Sequence, residues 1–401
     1  MVKNILKDSE FPTEKVEKEV ILFLKCIINS VNQNYSHIKY NLKIKYIFPS
    51  KKSINRFSTQ KYFFKYKNSI IDIRKNFIIS LLTLFTILNL FCNIIVKGEA
   101  NAHLYINIPY SSSTTIKIYD ESISNPNKII INENDIISLG NQFTLSDLND
   151  LNITYDNILE VYLFWNVDIS NAKNMFKNCK YISKIYFEGF DDFQITDMSY
   201  MFYECTYLTS FDFGQLKTTQ LKTMEYMFYG CKKLTTVKLD NFQGNELINA
   251  DYMFYKCENL PSINLPQFNG IKLNYMNQMF YGCERLITVI LNNFQGNELI
   301  NAGSMFYGCK NLITVKLDNF QGKELIYANY MFYGCQSLPS INLPQFNAIK
   351  LNYMNHMFYD CKALTTVILN NFKGRELIKT HYMFYNCIYL TNINFDYFNN
   401  S

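Results

Sequence analysis

Met227-Phe228-Tyr229-Gly230-Cys231 decides the fold, because it returns at a fixed interval along the chain. Its Met-Phe pair falls at Met175, Met201, Met227, Met253, Met279, Met305, Met331, Met357 and Met383, each step being 26 residues. A cysteine follows every pair at the same offset: Cys179, Cys205, Cys231, Cys257, Cys283, Cys309, Cys335, Cys361 and Cys387. Self-similarity at this period predicts a solenoid, in which each repeat buries its apolar side only against its neighbours.

Within one repeat, Thr236–Asp240 alternates polar and apolar and predicts a strand with Val237 and Leu239 inward. Gly244 ends it. Glu246–Tyr255 then places Leu247, Ala250 and Phe254 at i, i+3 and i+7, which predicts a short helical segment. A strand and a helical turn per repeat predict an α/β repeat solenoid, coiling right-handed around one parallel sheet. Nine strands at ~4.8 Å spacing give a sheet roughly 40 Å long. A second period of 78 residues lies over the first: MFYGCKKLTTVKLDNFQG at 227 returns as MFYGCKNLITVKLDNFQG at 305. Three repeats were copied together.

The pattern Met224-x-x-Met227-Phe228-x-x-Cys231-x-x-Leu234-x-x-Val237-x-Leu239-x-x-Phe242 resembles the BspA-type leucine-rich repeat family, surface proteins with a 26-residue repeat. Met276 and Met354 repeat the leading Met, while Ala250, Ala302, Ala328 and Thr380 replace it. The resemblance covers about residues 149–401. It implies a leucine-rich-repeat-like solenoid, display on or release from the cell surface, and a role in adhesion or ligand binding without catalysis. Phe242 stands where ordinary leucine-rich repeats carry a ladder asparagine, so an asparagine ladder is not expected there.

Upstream, residues 1–76 hold 16 basic and 6 acidic side chains, whereas the rest of the chain holds 23 and 28. The net charge of +5 thus hides a basic N-terminal region and a mildly acidic remainder, which excludes an electrostatic footprint for nucleic acid on the repeats. Phe77–Val96 (FIISLLTLFTILNLFCNIIV) is twenty uncharged residues, about 30 Å as a helix, and predicts a transmembrane signal-anchor. Arg74 and Lys75 outweigh Lys97, so the N-terminus is expected in the cytosol and the repeats outside the plasma membrane. The competing expectation is secretion: Ala100-x-Ala102 is a small-residue cleavage pattern, with the cut after Ala102. Residues 103–148 predict a small β-rich unit. Residues 149–174 read as a degenerate repeat that caps the N-terminal end, with Leu159, Val161 and Phe164 where Ile185, Phe187 and Phe190 fall.

The cysteine ladder admits three readings: small buried filler, disulfides between repeats, or metal ligands. The first needs nothing further. The second leaves one of nine unpaired, and the third lacks converging partners, since each repeat supplies one Cys and most supply no His. The tyrosine after the Met-Phe pair, Tyr203 to Tyr385 in eight repeats, reads as a stacked, half-buried column rather than a row of ligand contacts. The outward strand positions are the binding candidates: Thr236, Lys238 and Asp240; Ser262 and Asn264; Thr288 and Asn292; Thr314, Lys316 and Asp318; Ser340 and Asn342; Thr366 and Asn370.

His37, His103, His356 and His381 have no Ser/Asp or Cys partner pattern, and no phosphate loop, GxSxG or HExxH occurs. No catalytic residue, cofactor or metal is expected. Asn152 and Asn399 open glycosylation acceptor triplets. The expected function is a non-enzymatic surface or secreted adhesion protein, binding a protein or glycan on another cell or matrix. The alternative is a structural coat that self-associates through an uncapped C-terminal end.

Overall fold

A computed structural model describes residues 100–401 except 110, 112, 123, 136–139, 152, 155, 191–192, 215, 240–241, 266–271, 292–293, 344–346, 370–378 and 395–401. The chain divides into two units, Met1–Cys92 and Asn93–Ser401, and the first lies outside the described residues. So does the expected membrane span Phe77–Val96. Among the described residues no helix is long and apolar enough to cross a membrane.

The second unit opens with strand β1 (Ala100–Asn107), followed by β2 (Ile116–Lys117), β3 (Lys128–Ile131), β4 (Asn134–Asp135), β5 (Gln142–Phe143), helix α1 (Leu145–Asp150) and β6 (Ile158–Trp165). One strand per 26 residues then follows: β7 (Ile182–Glu188), β8 (Ser210–Asp212), β9 (Thr236–Lys238), β10 (Ser262–Asn264), β11 (Thr288–Ile290), β12 (Thr314–Lys316), β13 (Ser340–Asn342), β14 (Thr366–Ile368) and β15 (Asn392–Asn394). The unit is a repeat β-solenoid with an N-terminal β cap.

β1 alternates strictly, with Ala100, Ala102, Leu104 and Ile106 buried and Asn101, His103, Tyr105 and Asn107 turned out. It lies between β6 and β7 and is antiparallel to both, in a sheet ordered β4-β3-β6-β1-β7. The expected capping segment 149–174 supplies β6, but β6 does not stack directly on the first repeat strand. β1, from upstream, is inserted between them and occupies the free edge of β7. An open solenoid edge offers unpaired N–H and C=O groups, and β1 satisfies them. Trp165, the sole tryptophan, is buried on β6 and donates its indole N–H to Ser124 O at 2.8 Å. Thr144 caps α1 through a reciprocal box with Asp147.

The repeat strands pair in parallel without register shift, Ser262 on Thr288 on Thr314 and Ser340 on Thr366 on Asn392, because every repeat has the same length. The expected strand Thr236–Asp240 is shorter, Thr236–Lys238. The expected single parallel sheet is a mixed five-stranded sheet followed by hydrogen-bonded groups β8-β9, β10 to β12 and β13 to β15.

The α/β expectation is corrected further at Glu246–Tyr255, which is turns and not helix. Amides 250, 252, 254 and 256 donate to Tyr275, Asn277, Met279 and Tyr281 in the next repeat. Between them, Met253, Tyr255 and Cys257 donate three residues back, to Ala250, Tyr252 and Phe254. An α-helix needs each N–H for the carbonyl four residues earlier, and here every second one is spent between repeats. The geometry requires left-handed backbone at two positions per repeat. One precedes the Met (Tyr226, φ 55°; Tyr252, φ 57°), the other precedes the Cys (Gly230, φ 70°; Lys256, φ 55°). The spacing i, i+3, i+7 buries one side in either conformation, so it does not separate them.

Side chains at equal positions stack into columns. Phe176 to Phe384 form one inside the solenoid, with adjacent centroids 5.2–5.6 Å apart and planes within 13°. The Met, Leu and Cys columns are buried beside it.

Two glycines test this backbone. At Gly308 (φ +70°) a Cβ would meet only Gly282 Cα, at 4.0 Å, and Glu204, Lys256 and Asp360 hold the same conformation elsewhere. At Gly296 (φ +58°) a Cβ would lie 2.5 Å from Phe320 Cε2. In urea denaturation, Gly308→Ala should cost about 1 kcal/mol, for backbone alone. Gly296→Ala should cost about 2–4 kcal/mol, for backbone plus overpacking.

Candidate functional site

The short strands put the predicted positions on one outward face. Thr236, Lys238, Ser262, Asn264, Lys316, Asp318, Ser340 and Asn342 are exposed, while Thr288, Thr314 and Thr366 are half-buried. Asp240, Asn292, Asn370 and the acceptors Asn152 and Asn399 lie outside the described residues. Lys238 Nζ reaches Asp212 Oδ2 of the preceding repeat at 3.5 Å, and both side chains are at least half exposed. Such a pair is well screened and contributes little to stability, so both groups stay available to a partner.

The column beside these positions was missed. Thr209, Thr235 and Thr365 hold the preceding repeat through their hydroxyls, to Ser183 O, Thr209 O and Pro339 O at 2.9–3.0 Å. Between them the same column carries Pro261, Ile287, Ile313 and Pro339, and the isoleucines are 45% and 49% exposed. Two successive outward residues, Thr235 and Thr236, break the period-2 alternation. The signal in the sequence is that this position accepts Thr, Pro and Ile, which an inward position would not.

The nine ladder cysteines are free, and all but the half-buried Cys387 are buried. From Cys205 onward each thiol donates to the carbonyl of the Phe 29 residues earlier, at 2.9–3.2 Å, as from Cys231 Sγ to Phe202 O. Each of these carbonyls from Phe202 to Phe358 also accepts the amide of the cysteine three residues on. Burial pushes the thiols up, strongly inside the column and to about 11 at Cys387. Among the described residues no three Cys, His, Asp or Glu side chains converge as metal ligands.

The tyrosine column is half-buried along most of its length. Tyr203 to Tyr385 stack at 4.4–4.7 Å with planes within 17°. Ring faces are used up within the column, so edges and hydroxyls remain for solvent. Burial, reinforced by neighbouring tyrosines, pushes the Tyr307 hydroxyl up to about 12, which keeps it a donor.

A polar ladder lies on the turn side, at positions other than that of Phe242. Asn171, Asp197, Thr223, Asn249 and Asn301 accept the backbone N–H two residues on. Where this position is Tyr275, Tyr353 or Lys379, the preceding repeat takes over. Asp251 accepts from Asn277 N, Asn329 from Asn355 N, and Asn355 from His381 N. The task is shared between two columns and three residue types, which hid it from a search for one repeated asparagine.

The family described as "Mycoplasma protein of unknown function, DUF285" matches residues 170–293 and 274–397, more than half of the chain. The chain belongs to this family. Its DUF285 repeats are the BspA-like 26-residue units expected from the Met-Phe-x-x-Cys pattern. No curated protein matches the chain. Among solved structures it aligns with the TLR13–ssRNA13 complex at 17% identity and TM-score 0.26, over 50% of this chain and 31% of that one. It also aligns with a leucine rich cell surface protein from Faecalibacterium prausnitzii A2-165 at 14% identity and TM-score 0.18, over 51% of this chain and 67% of that one. The chain therefore spans about a third of the first.

The DUF285 turn ladder yields a pH test. Asp251 is pushed up to about 6 by burial, reinforced by Glu225 and opposed by the Asn277 amide. Folding raises this pKa, so the associated stability is complete below about pH 4 and is lost as pH rises through 6. Asn329 and Asn355 make the same bond without a charge. Asp251→Asn should therefore stabilise the protein by about 1–2 kcal/mol at pH 7.5, discounted for partial solvent access, and leave it unchanged near pH 4. Thermal melts at the two pH values check this.

Proposed function

We propose that this protein is a non-enzymatic recognition protein displayed at the cell surface, whose solenoid presents its outward strand face to a macromolecular partner. The observation that carries the reading is the in-register face itself. Thr236, Lys238, Ser262, Asn264, Lys316, Ser340 and Asn342 recur on one outward face, where Ile290 and Ile368 interrupt the column of Lys238, and the exposed Pro261, Ile287, Ile313 and Pro339 stripe lies beside them. Mixed polar columns flanking an apolar stripe make the kind of extended surface that repeat proteins use for binding. The partner is a protein or glycan of another cell or of the matrix.

The display reading combines Phe77–Val96 as a single-pass anchor with β1. Ala100 and Ala102 are buried, and Asn101 and Ala102 pair with both β6 and β7. A cut after Ala102 would remove the first three residues of β1, the strand that joins β6 to β7. This favours anchoring over secretion. N-terminal sequencing should find the mature start upstream of Ala100, and external protease should remove the repeats from intact cells. A start at His103 contradicts the anchor, and protected repeats contradict surface display. Reversing Lys238 and Lys316 to Glu should lower cell adhesion without changing the melting temperature.

A second reading, a self-associating coat, is favoured by one observation. In the last described repeat Tyr382, Tyr385, Ile388, Tyr389 and Ile393 are 45–64% exposed and β15 has no residue buried. Because β1 occupies the edge of β7, this exposed surface has no open edge at the first repeat strand to receive it. Light scattering distinguishes the two: concentration-dependent filaments support the coat, while monomers or closed dimers support recognition.

A further inference from the structure

The cap has an outward face that the repeat columns do not explain. Strand register arranges it as a grid of nine side chains. The middle row is Tyr162, His103 and Tyr186 on β6, β1 and β7. Phe164, Asn101 and Glu188 form the row on one side, and Glu160, Tyr105 and Lys184 the row on the other. Across three strands each row spans ~10 Å between outer positions, about the length of a disaccharide.

The grid is internally braced. His103 stacks on Tyr162 with centroids 3.9 Å apart and planes 16° apart, and contacts Tyr105 at 4.4 Å. Tyr105 and Tyr186 meet edge-on at 5.9 Å. Glu160 Oε2 holds His103 Nε2 at 3.2 Å and accepts from Tyr162 Oη at 3.5 Å, while Glu188 Oε2 accepts from Asn101 Nδ2 at 3.2 Å. These bonds engage one oxygen of each carboxylate. Tyr186 is 50% exposed and the Glu160 side chain 45%. The opposite side of the same strands fills the core, so burial fixes the register and holds the outward groups in place. Burial also lowers the pKa of His103 against the pull of Glu160, leaving an uncharged ring at the centre.

We propose that this face is a glycan-binding site, taking a short stretch of a neutral or amino-bearing oligosaccharide across Tyr162, His103 and Tyr186. Rings with an apolar body and a polar rim suit the C–H faces of pyranose units. Carboxylates of Glu160 and Glu188 and the Asn101 amide accept and donate to vicinal hydroxyls, and ionised acceptors strengthen such bonds. Glu160 and Glu188 are balanced by Lys184 within the grid and by Lys128, whose Nζ lies 5.7 Å from the Phe164 centroid, so the face has no net charge to draw sulfated or sialylated chains. The proposal rests on the surface-recognition reading, because a cell exterior is where such chains are met.

The test is binding of the full-length chain to immobilised neutral, amino-bearing, sialylated and sulfated oligosaccharides and to a choline conjugate. The expected result is capture by neutral or amino-bearing chains. Affinity should fall about tenfold or more in Tyr186→Ala and Glu188→Gln, and stay unchanged in Lys316→Ala on the repeat face. Glu188→Gln keeps the size of the side chain and an oxygen for the Asn101 bond but removes the charge and one acceptor, so it remains informative where Tyr186→Ala misfolds. No capture, capture unaffected by Glu188→Gln, or capture confined to choline, sulfated or sialylated probes overturns the proposal. Protease removal of the repeats from intact cells is unaffected by any of these outcomes, so surface display stands or falls separately.

Discussion

The structure depends on how the Met-Phe-x-x-Cys segment divides its backbone amides. Alternate N–H groups point to the next repeat, and those between close tight turns within their own. Both sets must be satisfied where the segment is buried, because an orphaned buried amide costs on the order of 1–3 kcal/mol. Two left-handed residues per repeat make the alternation possible. It also fixes the 26-residue pitch, since one added residue would send every second N–H to the wrong partner. Stacked Phe, Met, Leu and Cys columns follow from that pitch rather than cause it.

The cysteine fits this scheme better than a general apolar filler would. Its thiol is small enough for a column at strand spacing and carries one donor. That donor goes to a Phe carbonyl that already accepts a cysteine amide from its own repeat. The spine is thus closed on itself, and recognition is left to the faces beside it. These faces differ in chemistry. The repeat strands offer hydroxyls, lysines and an isoleucine–proline stripe, while the cap offers rings flanked by carboxylates.

The period, the inward columns and the outward polarity of Thr236, Lys238 and their equivalents were legible in the sequence, because identical repeats force identical environments. The turns were not. Leu247, Ala250 and Phe254 lie at helical spacing, yet left-handed Tyr252 and Lys256 prevent a helix, and neither residue type announces that conformation. The position of β1 was equally hidden, since its partners β6 and β7 lie more than fifty residues away and local pattern carries no pairing information. The cap grid was invisible for the same reason. His103, Tyr162 and Tyr186 become neighbours only through that pairing. Ile287 and Ile313 were passed over because strict alternation was expected where two successive residues face out.

The claim that the Met-Phe-x-x-Cys segment is an inward spine and not a site is tested most directly by residue-resolved alkylation of the native protein. The thiols of Cys205 to Cys361 are buried, hydrogen-bonded and held protonated by their surroundings, so they should resist the reagent until the protein is unfolded. Cys387, half-buried at the last described repeat, should react first among the ladder cysteines. Rapid labelling of Cys231, Cys283 or Cys335 in the folded protein would contradict the account.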